Sequence, residues 1–129
     1  AVKYGLPIKV IIIKNNTLGM IKWEQMVFLG NPEYGVELQP IDFVKFAEAC
    51  GGKGFRCEQP HEVTPALEAA LRSPQPALVE AIVDPFEPPL PARVKLDQAV
   101  KMAKALARGE PNRGRIALTL FRDKVHDLL

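Results

Sequence analysis

The chain has 129 residues, of which 47% are hydrophobic and 25% are charged. This balance is typical of an ordinary soluble globular domain with one core. Seventeen Lys and Arg against fifteen Asp and Glu leave a formal charge of +2, which gives no indication of nucleic-acid binding. The two cysteines, Cys50 and Cys57, lack the paired spacing of a metal site, so we interpret them as reduced thiols of a cytoplasmic protein.

The beginning of the sequence has the character of an interior segment. It opens with Ala-Val-Lys-Tyr-Gly-Leu-Pro and no initiator methionine. Gly5 and Pro7 are typical of the end of a helix. We therefore expect the sequence to have been cut from a longer protein.

Predicted strands and helices alternate from residue 8 to residue 83. The strands are expected at residues 8–13, 54–58 and 77–83, and the helices at residues 19–26, 40–50 and 61–72. The first strand is a β-branched run, which favours burial on both faces. The glycine- and proline-containing segment 28–39 is expected to be an exposed loop. The alternation predicts an α/β fold, a mostly parallel sheet with flanking helices and with ligands at the carboxyl ends of its strands.

The last third of the sequence differs in composition. Asp-Pro-Phe-Glu-Pro-Pro-Leu-Pro at residues 84–91 predicts an extended strap, because proline interrupts helices and central strands. Helices are expected at residues 96–108 and 115–129, the second with a modest apolar stripe. We therefore predict three parts, namely the α/β part at residues 1–84, the strap at 85–95 and a helical tail at 96–129.

Residues 14–25, Lys-Asn-Asn-Thr-Leu-Gly-Met-Ile-Lys-Trp-Glu-Gln, form the best candidate binding segment. They follow a predicted buried strand and open a helix, whose unpaired N–H groups and dipole favour an anion. Gly19 lets a phosphate approach the backbone. The amide oxygen of Asn15 and a carbonyl of the next turn suit Mg²⁺ that bridges a diphosphate. Alternatively, the Asn pair forms only a turn and a helix cap.

Several segments resemble thiamine-diphosphate enzymes of the pyruvate oxidase, quinone-linked pyruvate dehydrogenase and acetolactate synthase family. Residues 14–25 resemble the second half of the family's cofactor motif, whose first half, Gly-Asp-Gly, would lie upstream of Ala1. The likeness continues through Asn-Pro-Glu-Tyr-Gly (31–35), Asp-Phe-Val-Lys-Phe-Ala-Glu-Ala-Cys-Gly-Gly (42–52), Pro-Ala-Leu-Val-Glu (76–80) and Pro-Ala-Arg-Val-Lys-Leu-Asp-Gln-Ala (91–99). By this resemblance, residues 1–84 are the C-terminal portion of a thiamine-diphosphate-binding domain.

The resemblance implies a set of cofactor contacts, namely Asn15, Asn16, Thr17, Leu18, Gly19, Met20 and Ile21. In the family an Asn side chain and the carbonyl two residues later bind the metal ion. The family places two residues between Asn-Asn and Leu-Gly, whereas only Thr17 stands between them here. The metal ligands are therefore either Asn15 with Thr17 or Asn16 with Leu18. We favour the first pair from the geometry of the helix start.

On the same register, Met20 and Glu24 match positions close to the substrate. Glu24 is the candidate catalytic carboxylate, and the alternative is an exposed helix carboxylate paired with Lys22 or with a base of the loop. The alternative for Met20 is helix packing. We interpret Trp23 as a packing residue rather than a substrate contact.

The resemblance implies an enzyme that uses thiamine diphosphate and Mg²⁺, with FAD in some members. Such enzymes decarboxylate a 2-oxo acid such as pyruvate and transfer or oxidise the two-carbon unit. They are homo-oligomers, dimers or tetramers, in which another subunit supplies the acid that activates the cofactor. Because this acid and the Gly-Asp-Gly half are missing from the sequence, we predict that the isolated chain is inactive. The alternative is a non-catalytic binding or assembly module that retains the fold.

The helical tail carries a further expectation. Quinone-linked relatives suggest that residues 115–129 contact a membrane surface, although the modest stripe favours core or subunit packing. The implied localisation is the cytoplasm, with or without peripheral contact with the inner membrane.

Overall fold

The computed structural model describes residues 1–87 and 95–126. The chain divides into two compact units. We call Ala1–Asn15 with Gln39–Val83 the sheet unit, and Asn16–Leu38 with Asp84–Leu129 the helical unit. The predicted three-part division stays a prediction, since residues 88–94 of the strap and residues 127–129 of the tail lie outside the described residues.

The elements follow the predicted order. The strands are β1 (Lys9–Lys14), β2 (Lys53–Cys57) and β3 (Ala77–Ile82). Among the described residues the α-helices are α1 (Gly19–Trp23), α2 (Phe43–Ala49), α3 (Pro60–Arg72), α4 (Leu96–Ala107) and α5 (Arg113–His126), and a π-helical turn, Glu24–Phe28, continues α1. A short 3₁₀ turn, Val2–Tyr4, ends at Gly5, whose φ is 64°. The expected helix end at Gly5 is thus confirmed.

The sheet is parallel throughout, in the order β1-β3-β2. In the register, Ile11 of β1 and Phe55 of β2 both lie opposite Val79 of the central strand. The predicted α/β fold with a parallel sheet and flanking helices is confirmed. The helices of the sheet unit begin where side chains cap them: Asp42 accepts a hydrogen bond from Lys45 N at 3.0 Å, and Glu62 accepts one from Gln59 N at 2.9 Å.

The strands differ in burial. Ala77, Leu78 and Val79 of β3 are buried, whereas Ile11 and Ile13 of β1 are 57% and 64% exposed. The expectation that the first strand is covered on both faces is wrong for this chain. The physical reason is that β1 packs mainly against β3 within the described part of the chain, and a β-branched run predicts a strand without indicating whether helices cover its faces.

The two cysteines differ in burial. Cys57 is buried in the core of the sheet unit with Ala70, Ala77 and Val79. Cys50 is exposed. It follows Ala49 as the C-cap of α2, so it lies beyond the last residue of the helix and outside the face that the helix buries.

Gly54 of β2 lies so close to α2 that we expect Gly54→Ala to be destabilising. A Cβ at this position would lie 2.6 Å from Val44 Cγ1 and 2.8 Å from Val44 Cα. Because the second atom is backbone, α2 itself has to move, and we expect the free energy of unfolding in urea to fall by about 2 kcal/mol. Gly114→Ala in α5 is the control, since nothing lies within 4 Å of its Cβ. Equal losses in the two variants would contradict the close approach at Gly54.

The helical unit has its own core. It is formed by Trp23, Met26, Val27, Met102, Ala105 and Ile116, with Phe86, Leu106 and Leu120 packed around them. Trp23 is 5% exposed, in agreement with its interpretation as a packing residue. The apolar stripe of α5 enters this core through Ile116 and Leu120. None of the helices in the described part of the chain is long and apolar enough to cross a membrane.

The segment 28–39 is more buried than its composition suggests. Val36 is 1% exposed and the side chain of Glu33 is 8% exposed, so the prediction of an exposed loop is wrong at these positions. Its backbone is held by residues distant in sequence: Glu33 N donates to Glu110 Oε2 at 2.9 Å, and Arg108 donates to Gly30 O at 3.2 Å. Contacts over such sequence separations leave no local signal.

Candidate functional site

The candidate site residues begin where β1 ends. Asn15 directly follows Lys14, the last residue of β1, and is half-buried in the sheet unit. Asn16 opens the next segment, which belongs to the helical unit, and it is exposed with φ 55°. This left-handed conformation is one that Asn adopts more readily than most residues. The predicted turn after the strand is therefore present.

Within the helical unit, the backbone of this turn is fixed by residues 36–38. Asn16 O accepts a hydrogen bond from Leu38 N at 3.0 Å, and Leu18 N donates to Val36 O at 2.8 Å. Thr17 Oγ1 also donates to Val36 O, at 3.1 Å. The path from Asn16 to the helix start is thus held before any ligand arrives, as a precise binding site requires.

The start of α1 presents backbone donors. Leu18 is the N-cap and has no side-chain cap hydrogen bond, and Lys22 N makes a helical hydrogen bond to Leu18 O at 3.0 Å. The N–H groups of Gly19, Met20 and Ile21 precede that bond, so they have no intrahelical partner. Such groups attract an anion.

The oxygen atoms near this turn are suitable ligands for a hard cation that also binds an anion. Asn15 and Asn16 contribute amide oxygens and the backbone contributes carbonyls, which are neutral ligands that Mg²⁺ accepts together with phosphate oxygens. The described residues include no group of three or more His, Cys, Asp or Glu side chains that could hold a metal ion. The neutral oxygens of this turn fit Mg²⁺ that is bound together with a diphosphate, and the N–H groups of the helix start fit the diphosphate itself.

Met20, Glu24 and Phe28 share one face of the helix, because they are spaced four residues apart. All three are exposed, Met20 by 68%, so Met20 does not pack against the described part of the chain. Lys22, which the alternative interpretation pairs with Glu24, has another partner. Lys22 is 2% exposed and pairs with Glu33, with 2.7 Å between Nζ and Oε2. The interpretation of a Glu24–Lys22 pair is therefore wrong, because Lys22 lies on the buried face with Met26.

A buried carboxylate was missed in the sequence analysis. Glu80, on the central strand, is fully buried, and its two oxygens lie 2.7 Å from Lys14 Nζ and 2.8 Å from Arg56 Nε. Arg56 also pairs with Asp42 at 3.0 Å. Desolvation raises the pKa of Glu80, but the hydrogen bonds and charges of Lys14 and Arg56 outweigh it, so the pKa lies below its ordinary value of 4.5. The network fixes Lys14, the residue before Asn15.

Similarity to known proteins identifies the family of this chain. The family described as thiamine pyrophosphate enzyme, C-terminal TPP binding domain, matches residues 1–81. YdaP of Bacillus subtilis, named as a thiamine pyrophosphate-containing protein, is 44% identical over 108 residues, 84% of this chain and 18% of that protein. The mitochondrial acetolactate synthase catalytic subunit of Saccharomyces cerevisiae is 35% identical over 92 residues, 70% of this chain and 13% of that protein.

A solved structure is also similar. It is the thiamine diphosphate-dependent 4-hydroxybenzoylformate decarboxylase of Rhodococcus jostii RHA1, which superimposes with a TM-score of 0.60 at 28% identity. The similarity covers 65% of this chain and 16% of the decarboxylase chain. The chain thus spans less than a fifth of the length of each of these relatives. With the family match over residues 1–81, these findings show that the chain belongs to the family of thiamine pyrophosphate enzymes, as part of their C-terminal TPP binding domain.

Proposed function

We propose that this chain is part of a thiamine-diphosphate-dependent enzyme that decarboxylates a pyruvate-like 2-oxo acid and transfers or oxidises the two-carbon unit. Residues 15–20 bind the Mg²⁺-diphosphate in this proposal. The observation that carries it is the start of α1, where the backbone N–H groups of Gly19, Met20 and Ile21 follow two Asn residues at the carboxyl end of a parallel strand. The family supports the choice of cofactor.

The roles of the residues follow from their donor groups. The N–H groups of the first turn of α1 receive the diphosphate, and the amide oxygen of Asn15 with the carbonyl of Thr17 binds Mg²⁺. The burial of the two residues supports this choice, since Asn15 is half-buried whereas Asn16 is exposed. The pair Asn16 and Leu18 is the other register. When bound, the cofactor supplies the carbanion chemistry.

Glu24 and Met20 are proposed to face the substrate. The support is their common exposed helix face, which begins at the proposed cofactor turn. An exposed carboxylate that forms no ion pair within the described part of the chain is accessible to exchange protons with a substrate. Met20 would provide an apolar contact beside it.

The fate of the two-carbon unit is a finer part of the proposal. We propose an enzyme of the pyruvate oxidase or quinone-linked dehydrogenase type, with FAD, and the resemblance at residues 91–99 supports it. Acetolactate synthesis is the alternative, supported by relatives that carry that name. We also propose a cytoplasmic homo-oligomer, a dimer or tetramer. Contact of the tail with the inner membrane is the less favoured option, because Ile116 and Leu120 of α5 pack in the helical core.

The test uses the full-length protein that contains this chain beside the isolated 129 residues. We expect the full-length protein to bind thiamine diphosphate in the presence of Mg²⁺, to lose this binding with a chelator, and to release CO₂ from pyruvate. The isolated chain is expected to show no turnover. Turnover by the isolated chain would contradict the proposal that catalysis needs residues outside these 129. A full-length protein without Mg²⁺-dependent binding would favour the binding or assembly module.

A further inference from the structure

A buried polar network in the helical unit joins the helix start to the connection between α4 and α5. Lys22 of α1 pairs with Glu33 at 2.7 Å. The other carboxylate oxygen of Glu33 accepts a hydrogen bond from Asn112 Nδ2 at 2.6 Å. Glu110 accepts from Glu33 N at 2.9 Å and from Asn112 N at 3.2 Å. The network therefore runs from α1 through Glu33 to residues 110–112.

The charged groups of this network are deeply buried. Lys22 is 2% exposed and Glu110 is 1% exposed, and charged groups at such depth are costly unless they are paired or hydrogen-bonded. The ammonium group of Lys22 also lies over the ring of Phe86, 5.0 Å from its centroid. Lys22 and Glu110 are shielded from water, so these contacts fix the directions of their side chains. A residue removed from the network thus releases the ones that it orients.

The consequence concerns the first turn of α1. Lys22 is the residue whose N–H closes that turn on Leu18 O, so a clamp on its side chain also fixes the N–H groups of Gly19, Met20 and Ile21. We propose that Glu110 and Asn112 are positioning residues for the cofactor diphosphate, and that they act through Glu33 and Lys22. This inference rests on the proposed function, in which the diphosphate binds at that turn.

The experiment measures thiamine diphosphate affinity in saturating Mg²⁺ for the full-length protein and for its Asn112→Ala variant, well below the melting temperature. We expect the Kd to rise about tenfold, the size usual for residues that orient a ligand-binding group. The KM for the 2-oxo acid is expected to stay unchanged, because the network does not reach the exposed face of Met20 and Glu24. An unchanged Kd would overturn the inference, whether or not the melting temperature falls.

Asp97→Ala is the matched control, since it removes an exposed ion pair with Lys101 in α4 and no part of the network. It should leave the Kd unchanged. If Asn112→Ala does not fold, hydrogen exchange of the wild-type protein with and without the cofactor tests the inference instead. Cofactor binding is expected to slow exchange at Glu33 N and Asn112 N, which both donate to Glu110, and protection confined to residues 16–21 would overturn the inference.

The outcomes separate this inference from the proposed function. A wild-type protein that does not bind thiamine diphosphate overturns both. A wild-type protein that binds it, with an Asn112→Ala variant that binds equally well, overturns the positioning role alone.

Discussion

Replacing Glu80 with Gln is expected to lower the free energy of unfolding of the chain by about 3 kcal/mol. The amide has nearly the shape of the carboxylate, so packing is retained while the charge is lost. Lys14, whose side chain is 11% exposed, then keeps the carbonyl of Ile41 as a hydrogen-bond acceptor but loses its anionic partner, and a largely buried ammonium group without a counter-charge is costly. The lost pairing energy is smaller for Arg56, because its side chain is 38% exposed and it keeps its ion pair with Asp42. Urea unfolding at neutral pH measures the difference.

The same carboxylate predicts a loss of stability in acid. The pKa of Glu80 lies below 4.5 in the folded chain, so its contribution is complete above the unfolded pKa and is lost as the pH falls through the folded pKa. We expect the free energy of unfolding to decrease below about pH 4.5 and to decrease less steeply in Glu80→Gln. Asp42 and Glu62, whose pKa values are also lowered mainly by backbone hydrogen bonds, account for the slope that remains in the variant.

Glu68→Gln provides the control for the loss of one carboxylate. Glu68 forms an exposed pair with Arg72 one helical turn away in α3, and such pairs contribute about 0.3–0.5 kcal/mol. If Glu80→Gln were no more destabilising than Glu68→Gln, the buried network would contribute little to stability. If the two variants showed the same acid slope, the lowered pKa of Glu80 would be wrong.

The sequence was sufficient for the elements because their signals are local. The β-branched run of β1 and the spacing of apolar residues in α3 each depend on neighbours within one or two turns. Glu80 was missed because its partners Arg56 and Lys14 lie 24 and 66 residues away. Their approach depends on the register of three strands, which no segment of the sequence encodes by itself.

The sequence also predicted only those parts of the candidate site that are local in sequence. The turn after β1 and the helix start were found from Asn15, Asn16 and Gly19, since strand, turn and helix are continuous in sequence. The residues that hold the helix were not found. Glu33 stands in a Gly- and Pro-containing segment that is typical of an exposed loop, and its partner Asn112 is 79 residues away. The composition of the segment therefore predicted that Glu33 is exposed to solvent, whereas side chains distant in sequence form its hydrogen bonds.

The proposal that Asn15 is a metal ligand predicts the second large effect. In the full-length protein, Asn15→Ala is expected to weaken Mg²⁺-dependent binding of thiamine diphosphate about a hundredfold. The reason is that loss of a direct ligand should cost at least as much as loss of a residue that orients one, about 10–100-fold. Titration with the cofactor at several Mg²⁺ concentrations measures it, because a ligand variant requires more Mg²⁺ to reach half-saturation.

Asn16→Gly is the matched variant for the other register. Glycine removes the side chain but accepts φ 55° without strain, so the turn and the hydrogen bond from Leu38 N to the carbonyl of residue 16 are retained. We expect little change in affinity, since the side chain of Asn16 is exposed while its backbone holds the turn. The opposite result, with Asn16→Gly weakened and Asn15→Ala intact, would move the ligands to Asn16 and Leu18. If neither variant changed the Mg²⁺ requirement, the two amides would serve only the turn, and the diphosphate would depend on the backbone of α1 alone.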